Sequence, residues 1–104
     1  MDWNSKENKI LVEMILALET KDEAKRFLRD LMTETEIKEF ANRIMAAKLL
    51  SEGVMYSGIE EMTGLSSTTI ARVSKWLKGK EGGYKTILNK IHHHNSIQTG
   101  RGLS

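Results

Sequence analysis

The stretch GLSSTTIARVSKWL, residues 64–77, carries most of the information about the fold of this chain. It opens with a glycine, continues through a leucine and four small hydroxyl residues, and ends in a basic, amphipathic segment. Hydroxyl side chains favour helix starts because they accept hydrogen bonds from free backbone N–H groups. The stretch is therefore predicted to be a turn followed by a helix with a small, polar N-terminus.

Apolar positions on both sides of Gly64 fit two short helices joined by a tight turn, the arrangement called a helix-turn-helix. Ile59 lies five residues before the glycine and Leu65 directly after it. Ile70 and Val73 follow the glycine by six and nine residues. These four side chains are expected to pack the two helices against each other, with the glycine adopting a backbone conformation that a Cβ disfavours.

The whole motif spans about residues 57–78. Its second helix is the predicted recognition helix for double-stranded DNA. Its small hydroxyl residues can bond base edges or phosphates, and a methyl group can contact a thymine methyl. Cations farther along contact phosphates, which supply affinity and little specificity. The candidate DNA contacts are Ser66, which is also the expected helix cap, Ser67, Thr68, Thr69, Ala71, Arg72, Lys75 and Lys78.

The charge distribution points to an anionic partner for the second half of the chain. Residues 1–40 carry 10 acids and 7 bases, whereas residues 41–104 carry 4 acids and 9 bases. Residues 62–80 hold four bases and no acid. A basic patch of this kind favours nucleic acid. A solvated basic face gives the same pattern, so charge alone leaves both interpretations open.

The whole chain is predicted to be all-α, because strand-like alternation is absent and helix-start signals are frequent. The capping box S/T-x-x-E satisfies free N–H groups at a helix N-terminus and occurs at Thr20–Glu23, Thr33–Glu36 and Ser57–Glu60. Gly53 is a predicted helix stop. Six helices are expected, at about 4–19, 21–32, 34–52, 57–63, 67–78 and 84–92, within one domain over 1–92 that is followed by a disordered tail over 93–104.

Apolar periodicity assigns an inward face to each long helix. On the first helix this face holds Ile10, Leu11, Met14, Ile15 and Leu18, and on the third it includes Ile37, Phe40, Ala41, Ile44, Met45, Ala47 and Leu49. On the sixth it holds Tyr84, Ile87, Leu88 and Ile91. Hydrophobic residues make up 39% of only 104 residues, and so short a chain buries a modest core. A homodimer that shares one core would relieve this shortage.

Several classes of protein are disfavoured by what the sequence lacks. Without cysteine there are no disulfides and no cysteine-based zinc sites, which fits a cytoplasmic location. The sequence shows neither a signal peptide nor a long apolar run, so it does not indicate export or a membrane span. No catalytic pattern appears, so an enzyme is not expected. The adjacent residues His92, His93 and His94 diverge on a helix and lack chelating spacing, so no metal site is predicted.

The order of three segments, MTETEIKEFANRIMAAKLL (32–50), LLSEG (49–53) and IEEMTGLSSTTIARV (59–73), resembles the tryptophan repressor superfamily, in particular its YerC/YecD branch. The resemblance covers about residues 10–92. It implies a six-helix chain that forms an intertwined homodimer with two protruding helix-turn-helix heads. Such a dimer reads a roughly palindromic operator through major grooves about 34 Å apart.

The resemblance also implies a possible effector pocket formed by Thr33, Arg43 and Arg72. The tryptophan repressor has a glycine and a serine where this chain has Val73 and Trp76, and these larger side chains would fill a tryptophan pocket from within. Tryptophan is therefore not the expected co-repressor, and no cofactor is required. Simpler roles stay open for all three pocket residues: Thr33 as a helix cap, Arg43 paired with an acid such as Glu39, and Arg72 bound to a phosphate.

Taken together, the sequence predicts a homodimeric, sequence-specific DNA-binding regulator of transcription. One alternative is a repressor that responds to tryptophan or another small molecule. A second alternative is a protein-interaction module that uses the helix-turn-helix as a docking surface. The operator, the genes controlled and the direction of regulation are not encoded in any pattern of the chain.

Overall fold

A computed structural model describes the backbone of residues 1–102 and the side chains of residues 1–92. The described residues form helices and no strand, in agreement with the predicted all-α class. The helices are α1 (Lys6–Leu16), α2 (Lys21–Leu31), α3 (Glu34–Ser51), α4 (Tyr56–Thr63), α5 (Ser67–Lys78) and α6 (Gly83–Gly102). None of these helices is both long enough and apolar enough to cross a membrane.

The helix starts of α2 and α3 follow the capping signals in the sequence. The Thr20 hydroxyl accepts a hydrogen bond from the N–H of Glu23 at 3.1 Å. At α3 the exchange is reciprocal: the N–H of Glu36 donates to the Thr33 hydroxyl at 3.1 Å, and the N–H of Thr33 donates to the Glu36 carboxylate at 3.0 Å. Both predicted capping boxes therefore mark true helix starts.

The third predicted box, Ser57–Glu60, is wrong. The helix α4 begins at Tyr56, one residue before the predicted cap, and its cap position is Met55, which makes no side-chain hydrogen bond. Ser57 consequently lies inside the first turn of the helix. The motif specifies only residue types and their spacing, not the backbone conformation. Here the extended backbone residue that precedes the helix is Met55, so the helix starts earlier than the motif predicts.

The predicted end of the last helix also differs from the structure. The sequence predicted an end near residue 92 and a disordered tail over 93–104, whereas α6 continues to Gly102. Neither proline nor glycine occurs between residues 92 and 99, so the sequence offers no stop signal there. Residues 103–104 of the predicted tail lie outside the described residues.

The chain divides into two compact units, Met1–Ile37 and Lys38–Ser104. In the first unit, the apolar side chains of α1 stay largely exposed, between 39% and 53% for Ile10, Leu11, Met14 and Ile15. The inward orientation predicted for this face is therefore not realised within the single chain. Periodicity shows which side of a helix is apolar, but not which surface covers it.

The second unit contains the core. The buried cluster joins the C-terminal half of α3 to α4 and α5, and it consists of Ala46, Ala47, Leu49, Ile59, Ile70 and Val73. Tyr84 and Leu88 of α6 pack against this cluster, and α5 contacts both α4 and α6. On α3 the predicted core residues Ala47 and Leu49 are confirmed, but Ile44 and Met45 are exposed. This packing holds α5 from two sides.

Candidate nucleic-acid interface

The helices α4 and α5 meet as the sequence predicted for a helix-turn-helix. Ile59 and Ile70 are fully buried, Val73 is nearly so, and Leu65 packs against them as a half-buried side chain. Gly64 ends α4 in the left-handed conformation with φ of 75°, and its N–H donates to the carbonyl oxygen of Glu60 at 2.8 Å. The four apolar side chains and the glycine therefore fix where α5 begins.

The start of α5 is held by the predicted cap. Ser66 has an extended backbone, and its hydroxyl accepts a hydrogen bond from the N–H of Thr69 at 3.2 Å. The same hydroxyl donates to the Thr69 hydroxyl at 3.1 Å. Two of the predicted DNA contacts, Ser66 and Thr69, are thus engaged in capping the helix. Ser67 and Thr68 are exposed at the same helix end.

The remaining candidate contacts share one side of α5. A helix turns by about 100° per residue, which places Ser67, Lys78, Ala71, Lys75, Thr68 and Arg72, in that angular order, along an arc of roughly 140°. All six are exposed. Ile70 and Val73 lie on the other side of the helix and are buried, as is Ser74, which borders the strip next to Ser67. Packing against α4 and α6 therefore turns one continuous polar and basic strip outward.

This strip is electropositive. None of the ion pairs among the residues with described side chains includes Arg72, Lys75 or Lys78. No acidic residue occurs within α5, and the positive end of the helix dipole lies at Ser67. Small side chains at the N-terminus followed by cations in the later turns match what a helix in a major groove requires.

A cavity of about 660 Å³ lies beside this strip, between α3, α5 and α6 in the second unit. Its lining is mostly apolar and includes Trp76, Ile87 and Ile91. The volume falls within the range of small-molecule sites, roughly 300–1,000 Å³. Val73 and Trp76, which were expected to fill such a pocket, line it and leave the space open in the single chain.

Two of the three predicted effector residues, Arg43 and Arg72, line this cavity together. The Arg43 guanidinium pairs with Glu39 at 3.5 Å, as the sequence suggested, and lies 5.4 Å from the centre of the Phe40 ring. Its Nε atom is buried without a hydrogen-bond partner among the described residues. A buried donor without a partner is uncommon in folded proteins.

Thr33, the third predicted effector residue, belongs to the first unit, and its hydroxyl is engaged with Glu36 at the start of α3. The hydrogen bonds from Thr33 lower the pKa of the Glu36 carboxyl, the backbone N–H contributing most and the hydroxyl next. The capping explanation accounts for the hydrogen bonds between Thr33 and Glu36.

Several cavity residues and one residue of the turn were not predicted from the sequence. Glu81, two residues before α6, and Tyr84, the second residue of α6, both line the cavity. The spacing of Tyr84, Ile87 and Ile91 marked an apolar helix face but gave no sign of an open space beside it. Thr63 makes two hydrogen bonds in the turn, but no sequence signal marks it, because only its neighbour Gly64 is a recognised turn residue.

The predicted absence of a metal site at the histidines stays a prediction. His93 and His94 lie outside the residues with described side chains. Among the side chains that are described, no group of three histidine, aspartate or glutamate residues is arranged to hold a metal ion.

Comparison with known proteins gives consistent similarities over most of the chain. The family model described as Trp repressor protein matches residues 6–92. A Bacillus subtilis protein, named as the uncharacterized protein YerC, is 38% identical over 81 residues, which cover 78% of each chain.

Two solved structures share the fold. One is described as a TrpR-like protein from Eubacterium eligens, with 34% identity, a TM-score of 0.80, and coverage of 86% of this chain and 93% of that one. The other is described as a putative Trp repressor from Staphylococcus aureus, with 32% identity, a TM-score of 0.81, and coverage of 88% and 95%. The similarity therefore extends through the helix-turn-helix and the helices that hold it.

Proposed function

The chain belongs to the Trp repressor family, a family of helix-turn-helix regulators, and on that premise we propose that it binds specific sites in double-stranded DNA as a homodimer and regulates transcription there. The observation that carries the proposal is the exposed strip of α5. Short side chains at Ser67, Thr68 and Ala71 contact bases, and the cations that follow contact phosphates. Such a protein acts in the cytoplasm, where bacterial DNA is accessible.

The apolar side chains left exposed on α1 support the homodimer. A helix face with four large apolar residues at helical spacing, each 39% or more exposed, is a surface that a partner would bury. Two recognition helices related by a twofold axis would then read two half-sites, about 34 Å apart, of a roughly palindromic operator.

The test is the selection of duplexes from a random pool by the full chain, at moderate salt and without added ligand. We expect a palindromic consensus to be recovered. Affinity for that consensus should fall steeply with salt, because each neutralised phosphate releases counterions. Recovery of no sequence preference, together with binding that is insensitive to salt, would instead favour a protein-interaction module that docks a partner through the helix-turn-helix.

A second candidate function is regulation by a small molecule bound in the cavity beside α5. Arg43 and Arg72 line this cavity, and the buried Nε atom of Arg43 has no partner among the described residues. A carboxylate is the acceptor that best suits two guanidinium groups. Because Arg72 belongs both to the cavity and to the exposed strip, occupancy of the cavity would change the placement of a DNA-contacting side chain.

This second candidate predicts stabilisation of the folded protein by its effector. A ligand that binds only the native state at 100 times its Kd stabilises it by about 2.7 kcal/mol. Thermal unfolding with each of the amino acids and related carboxylates, tryptophan included, would reveal such a shift. The shift should be lost in Arg43→Ala and kept in the control Arg26→Ala on α2. A uniform absence of shifts would favour DNA binding without an effector.

A further inference from the structure

Thr63, the last residue of α4, bridges the turn of the helix-turn-helix with one hydroxyl group. Its Oγ1 atom donates a hydrogen bond to the carbonyl oxygen of Ile59 at 2.7 Å. The same atom accepts a hydrogen bond from the N–H of Leu65 at 3.2 Å. Thr63 is half-buried, so both bonds are partly shielded from water. The hydroxyl thereby connects the last turn of α4 to the residue beyond Gly64.

The bond to Leu65 distinguishes this threonine from an ordinary one. Threonines in helices commonly donate to the carbonyl four residues earlier, and such a bond is local to the helix. Here the hydroxyl also accepts from the first residue after the left-handed glycine. The two residues whose backbones it joins, Ile59 and Leu65, are also two of the four that pack α4 against α5.

We propose that Thr63 is a positioning residue for DNA recognition, whose hydroxyl fixes the direction in which α5 leaves the turn and hence the placement of Ser67, Thr68 and Ala71 on the bases. This inference rests on the proposed function. Short side chains contact base edges only when the backbone is placed to within about 0.5 Å. The long side chains of Lys75 and Lys78 reach phosphates over a wider range of helix orientations.

The experiment compares wild type, Thr63→Val, Thr63→Ser and the control Thr20→Val. Valine keeps the shape of threonine but removes the hydroxyl, whereas serine keeps the hydroxyl. Thr20→Val removes a capping hydroxyl of similar geometry, 3.1 Å from a backbone nitrogen, in the first unit of the chain. Each protein is measured for thermal unfolding, for the exchange rate of the Leu65 amide, and for its Kd on the selected duplex and on a random duplex as a function of salt.

For Thr63→Val we expect the Kd for the random duplex divided by the Kd for the selected duplex to fall about tenfold, which corresponds to roughly 1.4 kcal/mol. The salt dependence of both Kd values should be unchanged. The Leu65 amide should exchange faster. Thr63→Ser should keep both the wild-type ratio and the wild-type exchange rate. Thr20→Val should lower the unfolding temperature and leave the ratio unaltered. The inference is overturned if Thr63→Val keeps the wild-type ratio of the two Kd values. It is also overturned if Thr20→Val lowers this ratio as much as Thr63→Val does while the two variants unfold at the same temperature.

The two proposals fail in different ways. If wild type selects no sequence, the proposed function fails, and with it the role of Thr63 in recognition. If wild type selects a consensus and Thr63→Val binds it with full discrimination, the proposed function stands and only the role of Thr63 is rejected. An unchanged Leu65 exchange rate in Thr63→Val rejects the bridging bond regardless of any result with DNA.

Discussion

In the proposed complex with DNA, side-chain length separates two kinds of contact along the exposed strip of α5. Ser67 and Thr68 at the helix start have hydroxyls close to the backbone, so they can reach only what the helix itself approaches. Lys75 and Lys78 carry a charge at the end of four carbons, about two to three turns farther on. We therefore expect the first pair to contact bases, because these residues are short and lie at the helix start, and the second pair to contact phosphates, because these residues are long and lie farther along.

This division predicts different consequences for two alanine substitutions. Thr68→Ala should relax the base preference at one position and cost about 0.5–1.5 kcal/mol on the selected duplex, with little change on random DNA. Lys75→Ala should weaken both duplexes alike and lower the salt slope by about 1. The control Lys25→Ala removes an exposed lysine of α2 and should leave both measures unchanged. Equal losses on specific and random DNA for Thr68→Ala would contradict a role in reading bases.

The conformation of Gly64 makes a second residue-level prediction. Its φ of 75° is strained for any residue with a Cβ, although the space around the position is open. Gly64→Ala should therefore lower the free energy of unfolding by about 1–2 kcal/mol. Gly83 offers the matched control, because its surroundings are equally open and its φ is not positive. Urea unfolding that shows equal stability for Gly64→Ala and Gly83→Ala would argue against a strained turn.

At the scale of the element, the start of α3 shows how a local signal becomes a stabilising contact. Thr33 and Glu36 exchange hydrogen bonds, and both bonds from Thr33 favour the ionised form of the Glu36 carboxyl. The pKa of Glu36 is consequently held below its usual value of 4.5. A depressed pKa in the folded state means that the contact stabilises the protein above pH 4.5, and that this contribution is lost as the pH falls through the lowered value.

We therefore expect the free energy of unfolding to differ between wild type and Glu36→Gln by an amount that depends on pH. Glutamine keeps an acceptor oxygen but not the charge, so wild type should be the more stable at neutral pH. The difference should persist down to about pH 4.5 and vanish below the folded-state pKa. Chemical unfolding at a series of pH values measures this difference, with the exposed Glu61→Gln on α4 as the control. A difference between wild type and Glu36→Gln that stays constant down to about pH 2 would contradict the linkage.

Local chemistry explains which elements could be predicted from the sequence. The caps at Thr20, Thr33 and Ser66 form bonds to residues three positions away, so residue types and spacing suffice to locate them. The box at Ser57 failed because the same spacing carries no information about the backbone at Met55. The Thr63 bridge spans a turn whose geometry depends on buried packing, and no motif describes it.

At the scale of the whole molecule, the sequence did not determine what covers each apolar helix face. The periodicity of α1 and α6 correctly identified apolar faces. It did not predict that residues of α1 would stay exposed in one chain, or that Ile87 and Ile91 would border a cavity, because both depend on surfaces distant in sequence. The arginines of the cavity followed from the family resemblance and from no spacing rule.

The exposed face of α1 leads to the prediction for the assembly. If two chains bury this face against each other, the unfolding temperature should rise with protein concentration, because association stabilises only the folded state. Ile15→Glu places a charge on the face, at a residue that is 51% exposed in the single chain, and should shift the protein to monomer. Glu13→Gln, on the same helix, serves as the control and should remain dimeric.

Sedimentation equilibrium of the three proteins gives their masses in solution. Thermal unfolding over a hundredfold range of protein concentration shows whether the unfolding temperature rises with concentration. The consequence for DNA is equally specific. A monomer retains one recognition helix and its cations, so Ile15→Glu should still bind a random duplex weakly but lose the advantage of a palindrome over a single half-site. A wild-type protein that sediments at 11.8 kDa and unfolds at one temperature throughout would show that the α1 face does not pair two copies.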